Sequence, residues 1–137
     1  MRFANVPGYM SGLPKAYATL LNVGAWPQKY KATMLAPQNF NGHADVALAL
    51  TPKSSRSTDR GVVLVNPSNW TVDQVSWNLS GGVTLDMTES YADVGSYRVP
   101  SSQSLSVHTP YATADGSATL QNYALNIPID SEIFAQE

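Results

Sequence analysis

The segment KSSRSTDR, residues 53–60, gathers Lys53, Arg56 and Arg60 among Ser54, Ser55 and Ser57. Such a set can neutralise phosphates and donate hydrogen bonds to them. A loop that cradles phosphate also needs glycines, so that backbone N–H groups converge, and a helix N-terminus behind them. No glycine lies inside this segment, and the apolar run GVVLVN (61–66) that follows reads as a strand. Phosphate-loop chemistry is therefore excluded. The expectation is a solvated loop between two strands, or one that faces an acidic patch on a partner. Nucleic-acid contact is the weaker alternative. Lys29 and Lys31 would extend the basic patch, but the net charge is −2 and no run of aromatics interleaves with basic residues.

The chain has two histidines. His43, in NGHAD, precedes Asp45 by two residues, a spacing that puts both on one face of an extended segment. A metal site needs a third ligand, and no other residue has a supporting spacing. His108, in SVHTPY, falls on the outward phase of a short strand. Both read as surface or loop histidines, and no metal or other cofactor is expected. A serine nucleophile needs a base, an orienting acid and a sharp G-x-S-x-G turn, and that turn is missing. The carboxylate pairs Asp86 with Glu89 and Asp130 with Glu132 could serve glycosidic chemistry only inside a cleft. One pair contains an outward-facing strand residue, and the other lies at the chain end. No catalytic residue is assigned, and an enzyme is not expected.

Aromatic residues offer a different chemistry. Trp70 follows the turn NPSN, whose Asn and Ser side chains are suited to bonding their own backbone. Trp70, Tyr91, Tyr97 and Tyr111 are candidates for a platform that stacks on sugar rings. Against that reading, Trp77 has the inward phase of a core residue and Trp70 is expected to cover the edge of that core.

The elements that must position these residues are strands. KYKATML (29–35), DVALALT (45–51), TVDQVSWNL (71–79) and GVTLDMTES (82–90) alternate. SGG between 79 and 83 makes the 71–90 pair the best hairpin. Weaker strands are expected at 96–99 and 104–109, and a last one in TLQNYALNIPI (119–129), where Pro128 belongs at a strand end or sheet edge. One helix is expected in LPKAYATLLNVG (13–24), with Pro14 in its first turn and Pro27 limiting its length. Residues 1–12 read as an extended arm bearing Phe3, Val6, Tyr9 and Met10, and 13–137 as one β-rich domain. The predicted class is mainly β: a single antiparallel sandwich or barrel of seven to eight short strands.

Composition narrows the role. At 137 residues the chain fits one domain, and it has no cysteine, which excludes disulfides and thiolate metal sites. Charged residues make up 13% of it, against about 25% in an ordinary soluble domain. Hydroxyl and amide groups are cheaper to desolvate than charges, so such a surface suits contact with other subunits. Residues 1–60 carry seven basic side chains against Asp45 and Asp59, whereas 61–137 carry Arg98 against eight acids. No stretch reaches the roughly 18 apolar residues of a membrane helix. MRFANVPGYMSG lacks the apolar core of a signal peptide, so a product made without export is expected. The leading expectation is a structural protein that assembles with copies of itself or with other virion proteins, as a coat, cement or decoration subunit. The alternative is a carbohydrate-binding or accessory β-sandwich.

Overall fold

The computed structural model describes residues 23–125. A short 3-10 turn (Val23–Ala25) leads into a single helical turn, α1 (Trp26–Lys29), with Pro27 in its first positions, where a missing N–H costs nothing. Eight strands follow: β1 (Tyr30–Met34), β2 (Gln38–Phe40), β3 (His43–Pro52), β4 (Arg60–Val65), β5 (Val72–Leu79), β6 (Val83–Val94), β7 (Tyr97–His108) and β8 (Thr113–Thr119). All pairings are antiparallel, in the order β1-β3-β4-β5-β6-β7-β8, with β2 paired to the opening residues of β3. The mainly β, antiparallel class is as expected from the sequence. Among the described residues the strands make one unclosed sheet.

Residues directly opposite in a ladder share a face, so the register sorts the side chains. One row across the sheet runs Leu48, Val63, Val75, Met87 and Leu105, and the next runs Leu50, Gly61, Trp77, Leu85 and Val107. This apolar face holds most of the core. The opposite face carries Ser76, Asp86, Ser106 and Asp115 in a single row, where Ser76 donates to Asp86 and Ser106 to Asp115, each at 2.5 Å. Near β2 that second face is buried too, at Ala47, Leu64 and Asp45.

Trp77 organises the core. Its ring meets Trp26 edge-on at 5.4 Å and Tyr30 at 4.9 Å. Opposite it on β4 stands Gly61, where an added Cβ would fall 2.9 Å from the indole ring. Glycine leaves the space that the tryptophan fills. The inward phase expected for Trp77 is what the fold contains.

The 71–90 hairpin forms as read, closed by Gly81 and Gly82 at φ +85° and +72°, a region open to glycine. Other expectations need correction. The two short strands at 96–99 and 104–109 are one strand, β7. Its Pro100 lies opposite Tyr91, where the register shifts beside Ser90, so proline falls at a bulge that tolerates it. Among the described residues the last strand is β8. Of the strand expected over 119–129, residues 120–125 are not in a strand, the Tyr123 hydroxyl donating to the Pro100 carbonyl, and residues 126–129, with Pro128, lie outside the described residues. Phe3, Val6, Tyr9 and Met10 of the expected arm, and residues 13–22 of the helix expected over 13–24, also lie outside them.

Candidate functional sites

Two places in the sheet depart from plain packing. The first joins the start of β3 to the start of β5. His43 opens β3, and Asp45 follows two residues on, with its side chain fully buried. The third member, Asp73, comes from β5, where the register slips: Leu64 pairs with Gln74 but Val65 pairs with Val72. Asp73 is the extra residue of this bulge, and a bulge re-aims a side chain. Its carboxylate Oδ2 lies 2.8 Å from His43 Nε2, and Asp45 Oδ1 lies 3.1 Å from the same nitrogen. Asn66 Nδ2 also reaches Nε2, at 3.1 Å. Three groups thus converge on one ring nitrogen.

Their demands conflict. The turn after β4 fixes the Asn66 amide, because its Oδ1 accepts the Ser68 N–H at 3.0 Å and leaves Nδ2 to donate. Donation to Nε2 requires a bare nitrogen, whereas the Asp73 carboxylate requires a protonated one. Neither Asp45 oxygen finds a hydrogen-bond partner, although Nε2 is near Oδ1. Burial pushes the Asp45 carboxyl above the usual range, and the neighbouring Asp73 charge adds to this against the opposing pull of His43. Phe40 stacks edge-on against His43 at 6.3 Å. The Thr71 hydroxyl shares its single proton between Asn69 Oδ1 at 2.7 Å and Asp73 Oδ1 at 3.2 Å. A polar cavity of about 170 Å³ opens beside the cluster, with Glu89, Tyr91 and Arg98 on its far wall. There the Tyr91 hydroxyl shares its single proton between Glu89 Oε2 at 2.6 Å and the Val72 carbonyl at 3.1 Å.

The second place is apolar. Trp26, Pro27, Tyr30, Ala32 and Leu50 line a cavity of about 520 Å³ beside β1, and Lys31 and Lys53 complete its walls. Both lysines are exposed, and Lys53 Nζ donates to the Pro27 carbonyl at 2.6 Å. Burial, and secondarily the charge of Asp59, raises the pKa of Tyr30. Farther across the same face, Leu105 and Gly116 border a shallower depression of about 190 Å³ between β7 and β8.

The residues singled out in the sequence are dispersed. Lys53, Arg56 and Arg60 are exposed in and beside the β3–β4 connection, a glycine-free loop held by Ser54 and Ser57. Trp70 does not cover the core edge: it is 75% exposed at the β4–β5 turn, with a left-handed φ of +61°. Tyr97 is exposed at the start of β7, and Tyr111 is exposed just past its end. About twelve strand residues, roughly 40 Å, separate those two, so no single sugar ring spans them. Tyr91 is half-buried and turned to Glu89. His108 is exposed, as its phase implied, with Nδ1 2.9 Å from Thr113 Oγ1. His43 and Asp45 do share a region, as their spacing suggested. Asp73 carried no signal beyond being an acid next to the Asn-rich turn.

No family model and no curated protein matches the chain. Among solved structures the fold is similar to a crystal structure described as an outer membrane lipoprotein-sorting protein domain from Vibrio parahaemolyticus, with a TM-score of 0.59 and 17% sequence identity. The likeness covers 79% of this chain and 47% of that one, so this chain matches about half of its neighbour's length. At that identity the likeness concerns the fold alone.

Proposed function

We propose that this protein binds an amphiphile on the apolar face of its sheet, holding one acyl chain in the cavity beside β1 and an anionic head group near Lys31 and Lys53. The cavity itself carries the reading. Its volume of about 520 Å³ lies in the range of small-molecule pockets, roughly 300–1,000 Å³, and its walls are aromatic and aliphatic with a few charged groups. Each methylene buried there contributes about 0.8 kcal/mol, so a chain of at least about ten carbons is needed to reach the roughly 8 kcal/mol of micromolar binding. The description of the Vibrio neighbour as a lipoprotein-sorting domain is compatible with an acylated cargo.

The test is calorimetric titration of the purified full chain with an anionic single-chain phospholipid and with its zwitterionic counterpart. Saturable binding that favours the anionic lipid and is lost in Ala32→Glu, a change at an exposed wall residue, supports the reading. Absence of binding, or binding indifferent to Ala32→Glu, overturns it.

The assembly role expected from composition remains a second proposal, favoured by one observation. Strand β8 borders no further strand among the described residues, and all seven of its residues are exposed. An unpaired edge of this kind is a template for a strand from another copy or another virion protein. Light scattering of the purified chain, with Gly116→Pro to remove a ladder donor, tests it. A discrete assembly that the proline breaks supports it, and a monomer at every concentration removes it.

A further inference from the structure

The geometry points to a divalent-cation site formed by His43, Asp45 and Asp73, separate from the apolar cavity and independent of its role. We infer that its occupant is a borderline metal ion of the Zn²⁺ type, held by one imidazole nitrogen and two carboxylate oxygens. Their donor atoms all lie within 4.8 Å of one another. Around a tetrahedral ion with bonds of about 2.0–2.1 Å, neighbouring ligand atoms stand about 3.3 Å apart. The Nε2 nitrogen sits 2.8 Å and 3.1 Å from the nearest oxygens of Asp73 and Asp45, close to that spacing.

A second, independent observation points to the cation. Asp45 is fully buried, and both of its oxygens lack a hydrogen-bond partner. A buried carboxylate is costly unless it is paired or coordinates a metal. Neighbouring hydrogens do not resolve the cluster, because the two carboxylates need a proton on Nε2 while the Asn66 amide, a donor, needs that nitrogen bare. A cation between Nε2 and the two carboxylates neutralises both acids at once. It also leaves Asn66 Nδ2 as a donor at the rim.

Imidazole selects against calcium and magnesium, which prefer all-oxygen shells, and suits zinc and its first-row neighbours. Three protein ligands leave a fourth position toward the cavity of about 170 Å³, which also supplies an entry path. The Thr71 hydroxyl, 2.7 Å from Asn69 Oδ1 and 3.2 Å from the outer oxygen of Asp73, ties that carboxylate to the β4–β5 turn as a second layer of the site.

The full chain, stripped with chelator and dialysed, is titrated with ZnCl2 alone while bound metal is counted by mass spectrometry. The structure requires one ion per chain, a rise in melting temperature, and a shift of the His43 Nε2 resonance to a metal-bound position. Asp45→Asn and His43→Gln each weaken uptake by at least tenfold. Asp45→Asn keeps its fold without metal, since it removes a buried charge, so its loss of uptake is not a loss of structure. His108→Gln leaves uptake unchanged. A folded wild-type chain that takes up no zinc overturns the site. So does uptake that survives both Asp45→Asn and His43→Gln, or displacement of zinc by equal calcium.

Discussion

Strand β5 buries Trp77 toward one end and Asp73 toward the other, and the two are surrounded in opposite ways. Around Trp77 the apolar neighbours agree: Gly61 gives room, Trp26 and Tyr30 supply edges, and Leu85 and Val107 continue the row. Only the buried indole N–H is left there without a hydrogen-bond partner among the described residues. Around Asp73 the neighbours disagree, with two carboxylates and an amide contending for one imidazole nitrogen. Packing of the first kind specifies a fold. Conflict of the second kind costs stability and is kept where a site needs it.

Breaking the agreeable end has the largest effect. Trp77→Ala removes the centre of the core and costs about 3–5 kcal/mol, measured by urea unfolding. Gly61→Val pushes a branched side chain into the indole ring, against which its Cβ already lies 2.9 Å away, and costs about 1–3 kcal/mol in the same assay. The conflicted end responds with the opposite sign. Asp45→Asn, compared with wild type at pH 7 in chelator, holds stability or raises it by about 1 kcal/mol, because an uncompensated buried charge has gone. A loss above 2 kcal/mol would mean that the cluster is satisfied without an ion.

The smallest effect sharpens the same contrast at the cavity wall. Burial first, and then the bond to Glu89, holds the Tyr91 hydroxyl far above its ordinary value of 10.0. The fold therefore favours the neutral phenol. Its contribution is fully present below pH 10 and is lost as pH rises above that value. Tyr91→Phe is expected to flatten the alkaline loss of stability while changing neutral stability by less than about 1.5 kcal/mol.

The contrast also explains which parts were legible in the sequence. Trp77, Leu85 and Met87 announce themselves because a core face repeats every two residues, and SGG marks the turn between β5 and β6. Strand β8, TADGSAT, has no large apolar residue and contains Asp-Gly, so it lacks the apolar alternation that marks the other strands. It is a strand because β7 lends it a ladder. Pro100 split β7 into two expected strands because proline forbids ladder donation, and only the register shift opposite Tyr91 reveals why it is tolerated. His43 and Asp45 were visible as a pair two residues apart. Asp73 was not, since it arrives from 30 residues past His43 through a bulge that local pattern does not encode. The apolar cavity escaped for a related reason: α1, β1 and β3 meet there only in three dimensions.

The central claim is that the apolar face beside β1 receives an acyl chain, and residue-resolved NMR tests it most directly. Amide shifts of the full chain are followed as an anionic single-chain lipid is added below its micelle concentration. The account predicts saturable shifts centred on Tyr30, Ala32, Leu50 and Lys53, with the His43 cluster unmoved. Shifts confined to β8, or none at any lipid concentration, would contradict it.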